Sequence, residues 1–354
     1  MQNVIPSGVE GLTRKRALTA LAGAASVTAW PSIARSATQS LQVGQIGNSV
    51  AFFPVFVAAK MGYYKDAGLD VTATSFSTGT LVGTAVTSNS IDIGNSVITD
   101  VFALLKANRP VKLIGSLCDA YYIDIVASNQ FLDATKLTRA SKLADKINAL
   151  KGKKLGITGP GSGTQALVEY IFRLQGLDTT RDVEMVNVGA DQAAVLQTMK
   201  TGRIDAVSFA WPMSMIAEAN NVGKAFIVPA AGDVPSMREQ VQGVIYAKPD
   251  NIAKRQDAIV AYVHAIGRAE AYLHQNPRQA PALLQQYDSA LNGPAIEALL
   301  TAYLPVLPHQ PDIAANSYEK ALQFHRLTGF AAATGNSYPE VVDSSTMLKA
   351  MRRK

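Results

Sequence analysis

The chain has 354 residues, with 33 Lys and Arg against 27 Asp and Glu, four His and one Cys. That length suits two domain-sized cores, and the formal charge of +6 is scattered with no basic stripe interleaved with aromatics, so nucleic acid is not the expected partner. A single Cys118 excludes an intramolecular disulfide and a cysteine-based metal centre.

The first segment reads as an export signal over 1–36. Arg14, Lys15 and Arg16 precede the small and apolar run "ALTALAGAASVTA", which is followed by Pro31 and "SIARSA". The run is too short to span a bilayer, and no later stretch is long and apolar enough, so direct membrane insertion is not expected. Either the general secretory or the twin-arginine route would place the mature protein in the periplasm.

From residue 41 one theme repeats: a short apolar strand, a small polar turn, then an amphipathic helix. "LQVGQI" leads through "GNSVAFFP" to "VFVAAKMGYY", and "LDVTATSF" leads through "STGT" to a helix over 80–88. "IDIG" leads through a turn at Asn95 and Ser96 to "VFALLKA", and "VKLIGSL" follows. A charged connector, 128–150, contains the helical pattern "ASKLADKINAL". The theme then resumes with "KKLGITGPGSGT", "VEMVNVGADQAAVLQTMKTG" and "RIDAVSFAWPMSMIAEA". After residue 248 the pattern becomes successive helices with apolar positions three and four apart. The alternation predicts parallel α/β units in two lobes. Lobe 1 is expected over 38–127 plus 243–354, with the C-terminal helices, and lobe 2 over 128–242.

The glycine-rich turn "GPGSGT" is not a nucleotide loop. Thr164 and Gln165 stand where a P-loop needs Lys and Ser or Thr, and Pro160 lacks an N–H. As a strand-to-helix turn it presents helix N–H groups and hydroxyls, and so do the turns at Asn48 and Ser49, Ser77 to Gly79, and Asn95 and Ser96. Converging on a cleft between lobes, such turns can hold one end of a small anion by dipoles alone. A catalytic constellation does not assemble. His264, His274, His309 and His325 show no metal-ligand spacing, and no nucleophile elbow is present, so neither a metal nor a cofactor is expected. The sequence therefore reads as a binder rather than an enzyme.

Three ordered segments carry a family resemblance. "FFPVFVAAKMGYYKDAGLDVTATSFSTGTLVGTAVTSNSIDIGN", "LKGKKLGITGPGSGT" and "LQTMKTGRIDAVSFAWP", together spanning roughly 41–230, resemble the periplasmic substrate-binding proteins of sulfonate, nitrate and taurine ABC importers. The resemblance implies a type II periplasmic-binding fold, a small-molecule ligand trapped between two hinged lobes, a monomer, and docking on a membrane permease driven by an ATPase. It implies ligand contacts near Phe52, Ser77, Gly79, Ser96, Ser162, Thr164 and the Ala210-Trp211-Pro212 segment, to which the strand-end turns add Asn48, Thr80 and Gly163 as candidates. Where the family often has an acid between Trp and Pro, Pro212 follows Trp211 directly, which argues against a ligand amine held by that carboxylate. A sulfonate-like organic anion is the expected ligand. A sister branch binds or makes the pyrimidine precursor of thiamine, and Phe52, Phe53, Phe76, Tyr121, Tyr122 and Trp211 are the aromatics placed to flank such a ring. The synthase of that branch works through a His and a Cys-rich segment, whereas this chain has no His before residue 264.

Overall fold

The computed structural model describes residues 38–47 and 49–353; the expected export segment and Asn48 lie outside the described residues. In chain order the first strands are β1 Gln39–Ile46, β2 Leu69–Phe76, β3 Ile93–Val97, β4 Lys112–Cys118 and β5 Ile123–Ser128. They are followed by β6 Lys154–Ile157, β7 Glu184–Asn187, β8 Ala206–Ala210, β9 Gly223–Ile227 and β10 Gly243–Ala247. These strands form two five-stranded sheets, ordered β2-β1-β3-β10-β4 and β7-β6-β8-β5-β9.

Each sheet is mixed rather than wholly parallel. β1 runs parallel to β2, in register from Gln39 opposite Leu69 to Ile46 opposite Phe76, and parallel to β3. β10 enters between β3 and β4 and runs antiparallel to both. In the second sheet β6 is parallel to β7 and β8, and β5 is antiparallel to β8 and β9. The antiparallel strands are those that arrive by crossing between the sheets, β5 after Cys118 and β10 after Ile227. The expected lobe division after residue 127 falls inside β5, which belongs to the second sheet because Ile123–Ala127 pair with Ala206–Ala210.

Asn95 and Ser96 lie in β3, not in the turn expected there. Polar residues are tolerated at this buried position because each has a partner: Asn95 Nδ2 donates to Tyr262 Oη at 2.9 Å, and Ser96 Oγ donates to Asp100 Oδ2. Tyr262 belongs to the long helix Gln256–Gln275, whose buried Ile259, Val263, Ile266 and Leu273 share a core with Leu41, Val43 and Ile93. Burial of side chains of this size stabilises by about 1.5–3 kcal/mol each. The helix Ala315–Leu327 reaches the second sheet's side through Phe324, whose ring lies 5.1 Å from Tyr121 and 4.8 Å from Tyr170. On the same helix His325 Nδ1 donates to Ala321 O, leaving Nε2 to accept from Thr99 Oγ1 at 2.8 Å. Burial pushes its pKa down to about 3, so it stays neutral.

Candidate functional site

The ends of the parallel strands point toward one another. A cavity of about 370 Å³ lies where β1, β2 and β3 of the first sheet and β6, β7 and β8 of the second reach their C-terminal ends. This is where ligands are held in open α/β sheets. Of the residues expected to bind ligand, Phe52, Ser77, Gly79, Thr80, Ser162, Gly163, Thr164 and Trp211 line it. Ser96 does not: its hydroxyl is turned into the core, onto Asp100. Among the aromatic candidates Tyr122 lines the cavity beside Phe52 and Trp211, whereas Phe53, Phe76 and Tyr121 do not.

The first wall comes from the turn after β2. Thr78 caps the helix Gly79–Thr87, its Oγ1 accepting from Leu81 N at 3.3 Å. Asp100, in the first turn of the helix Ile98–Lys106, packs its carboxyl against Gly79, where any Cβ would overlap both oxygens. Glycine is needed here for close approach. Burial pushes the Asp100 carboxyl up to about 6, against the lowering effect of the Ser96 hydroxyl and the Val97 N–H.

The opposing wall is the "GPGSGT" turn. Gly161 takes φ +79, open to glycine, and Ser162 caps the helix Gly163–Leu174 by accepting from Gln165 N at 3.3 Å. The turn's hydroxyls are occupied among themselves. Ser162 Oγ donates to Gly159 O at 2.7 Å, and Thr164 Oγ1 accepts from Thr158 N at 2.9 Å and contacts both Thr158 Oγ1 and Ser162 Oγ. The Ser162 hydroxyl, expected to face a ligand, is engaged within the turn while the residue lines the cavity. The turn itself still offers the N–H groups of Gly163 and Thr164, which have no partner inside their own helix. Ser162→Ala is expected to cost about 0.5–2 kcal/mol of stability, the worth of an N-cap, in urea unfolding. An unchanged midpoint would show that the cap contributes nothing.

Trp211 closes the second-sheet side, and a buried acid fixes it. Its Nε1 donates to Asp124 Oδ2 at 2.8 Å, and Ser214 Oγ donates to the same oxygen at 2.8 Å. Asp124 is 1% exposed, and burial pushes it up to about 7 despite those two donors. Asp124 and Asp100 were both missed in the sequence. For Asp100 a faint signal exists in an acid one helical turn after Ser96 in "NSVITD". For Asp124, inside "YYIDIVAS", nothing marks the acid as a partner for a residue so far along the chain. Asn187, Gln192 and Phe209 also line the cavity without having been singled out. Among the described lining residues Asp100 is the one acid, and no Lys, Arg or His is present.

A family model matches residues 34–286 of this chain, well over half of it. The chain belongs to the NMT1-like family. Among curated proteins it is similar to YtlA of Bacillus subtilis, named as a binding protein, at 22% identity over 292 residues, covering 79% of this chain and 80% of YtlA. It is also similar to the 4-amino-5-hydroxymethyl-2-methylpyrimidine phosphate synthase of Candida albicans, at 25% identity over 64% of this chain and 65% of the synthase. Among solved structures it resembles the alkanesulfonate-binding protein SsuA of Xanthomonas axonopodis bound to MOPS, with a TM-score of 0.69 at 14% identity, covering 87% of this chain and 100% of that one. The two mixed sheets of this NMT1-like protein are thus the α/β periplasmic-binding fold.

Proposed function

We propose that this NMT1-like protein is the exported solute-binding component of an ABC importer, holding one small organic molecule between its lobes and delivering it to a permease and its ATPase. The observation that carries the reading is the cavity of about 370 Å³, a size suited to a small metabolite, walled by strand ends of both sheets. An acidic group of the ligand, sulfonate-like, is held by the N–H groups of Gly163 and Thr164 at the start of a 12-residue helix. Four rings line the cavity, Phe52, Tyr122, Phe209 and Trp211, and they favour a flat ligand body, which keeps a pyrimidine as the second reading. Binding without turnover is supported by the placement of reactive groups. The four His and Cys118 all lie off the lining, and burial pushes the Cys118 thiol upward, away from the nucleophilic thiolate.

Thermal-shift screening of alkane- and arenesulfonates, nitrate, taurine, aromatic carboxylates and pyrimidines tests the reading. A ligand at a hundred times its dissociation constant is expected to add about 2.7 kcal/mol of stability. Stabilisation by none of these classes would contradict it, and stabilisation by neutral pyrimidines alone would move the ligand to the second reading.

A further inference from the structure

We infer that Asp100 dictates the chemistry of the ligand's second end: the ligand is a ring-bearing acid that also presents a nitrogen hydrogen-bond donor, and the Asp100 carboxyl accepts from it. The inference rests on the solute-binding reading above and narrows the class of molecule bound.

The two walls of the cavity are chemically unlike. On the second-sheet side the glycine-rich turn offers the N–H groups of Gly163 and Thr164, its hydroxyls being spent on one another, and the amide side chains of Asn187 and Gln192 stand on the same lining. On the first-sheet side the equivalent helix start, at Gly79, is already covered by the protein's own carboxyl, since Asp100 occupies the space a Cβ on Gly79 would take. A ligand anion therefore does not find a second free helix terminus there; it meets a carboxyl. No Lys, Arg or His among the described lining residues offsets that carboxyl. Its environment raises its pKa only to about 6, so at neutral pH it is mostly ionised and acts as an acceptor that repels a second anionic group. Phe52, Tyr122 and Trp211, each almost wholly buried, line the same cavity and offer an apolar surface to a ring. A ring that bears both an acidic group and an amino group supplies a partner for the helix N–H groups and for the carboxyl. An acid lacking the donor displaces water from the Asp100 carboxylate and gives it no new partner beyond Ser96 and the Val97 N–H.

The test uses a matched pair, 4-aminobenzenesulfonate and benzenesulfonate, titrated calorimetrically into the mature protein at about pH 7.5. The wild type is expected to bind the amino compound at least about tenfold more tightly, the scale of one charge-assisted hydrogen bond. Asp100→Asn is expected to reduce that preference to about threefold or less, and Asp100→Glu, which keeps the acid, to retain part of it. The 4-dimethylamino analogue, which has no N–H, is expected to bind like benzenesulfonate, and this comparison needs no variant to fold. Equal or tighter binding of benzenesulfonate by the wild type overturns the inference, as does a preference that persists undiminished in Asp100→Asn. Binding of nitrate or ethanesulfonate with no binding of either ring compound overturns it while leaving the solute-binding reading standing. Absence of binding across the whole panel counts against both.

Discussion

Asp124→Ala is expected to destabilise the protein by about 2–4 kcal/mol and to weaken ligand binding as well. The substitution removes the acceptor of two buried donors, Trp211 Nε1 and Ser214 Oγ, and each stranded donor costs on the order of 1–3 kcal/mol. The indole then loses the contact that fixes it as a cavity wall. Asp124→Asn separates hydrogen bonding from charge, because its amide oxygen still accepts. It should stay within about 1 kcal/mol of wild type at acid pH. The sign of the pH effect follows from the upward shift. A carboxyl raised by burial to about 7 favours the folded state when protonated, so its contribution is fully present below the ordinary aspartate range and is lost as pH rises through about 7. Asp124 and Asp100, the latter through about 6, therefore lower stability as pH rises. Buried His325 acts in the opposite direction only below the ordinary imidazole range, so wild-type stability is expected to fall between about pH 6.5 and pH 8. Asp124→Asn should flatten part of that fall. Urea midpoints of the three proteins across this range check both claims, and a wild-type profile that rises toward pH 8 would contradict them.

Gly79→Ala carries the second large effect. Alanine normally favours a helix over glycine by about 1 kcal/mol, and Gly79 is the first residue of its helix. Here the added methyl overlaps the Asp100 carboxyl, which is only 5% exposed and tied to Ser96, so it has little room to retreat. Overpacking of this kind costs about 1–3 kcal/mol. The clash should be specific to one partner. In an Asp100→Ala background the same glycine substitution should be close to neutral, giving a coupling of at least about 1 kcal/mol in a double-mutant cycle. Additive losses would mean that the two residues do not meet as described.

The sequence made the strand ends more legible than the strand partners. β2 occupies "LDVTATSF" as its alternation and flanking turns indicate, and "GPGSGT" is the helix-opening turn it promised to be. Those features are local: turn chemistry and capping are set by residues a few positions apart. β5 and β10 were not legible, because a buried strand that crosses between sheets has no polar face to alternate with. Ser96 failed for a related reason. A small polar residue after an apolar run reads as a turn, and only the contact with Asp100, made by folding, lets it remain in a buried strand. Trp211 was visible as a candidate wall, but its hold on Asp124 joins residues 87 positions apart and leaves no local trace.

The cavity between the lobes is expected to hold one small molecule and to release it unchanged. Calorimetric titration of the most stabilising compound into wild type and Trp211→Ala, with the mass of the recovered compound measured afterwards, tests that claim most directly. One molecule bound per wild-type chain, binding at least about tenfold weaker in the variant for loss of a buried aromatic wall, and an unaltered ligand mass are expected. Equal affinity in the two proteins, or recovery of a transformed compound, would contradict it.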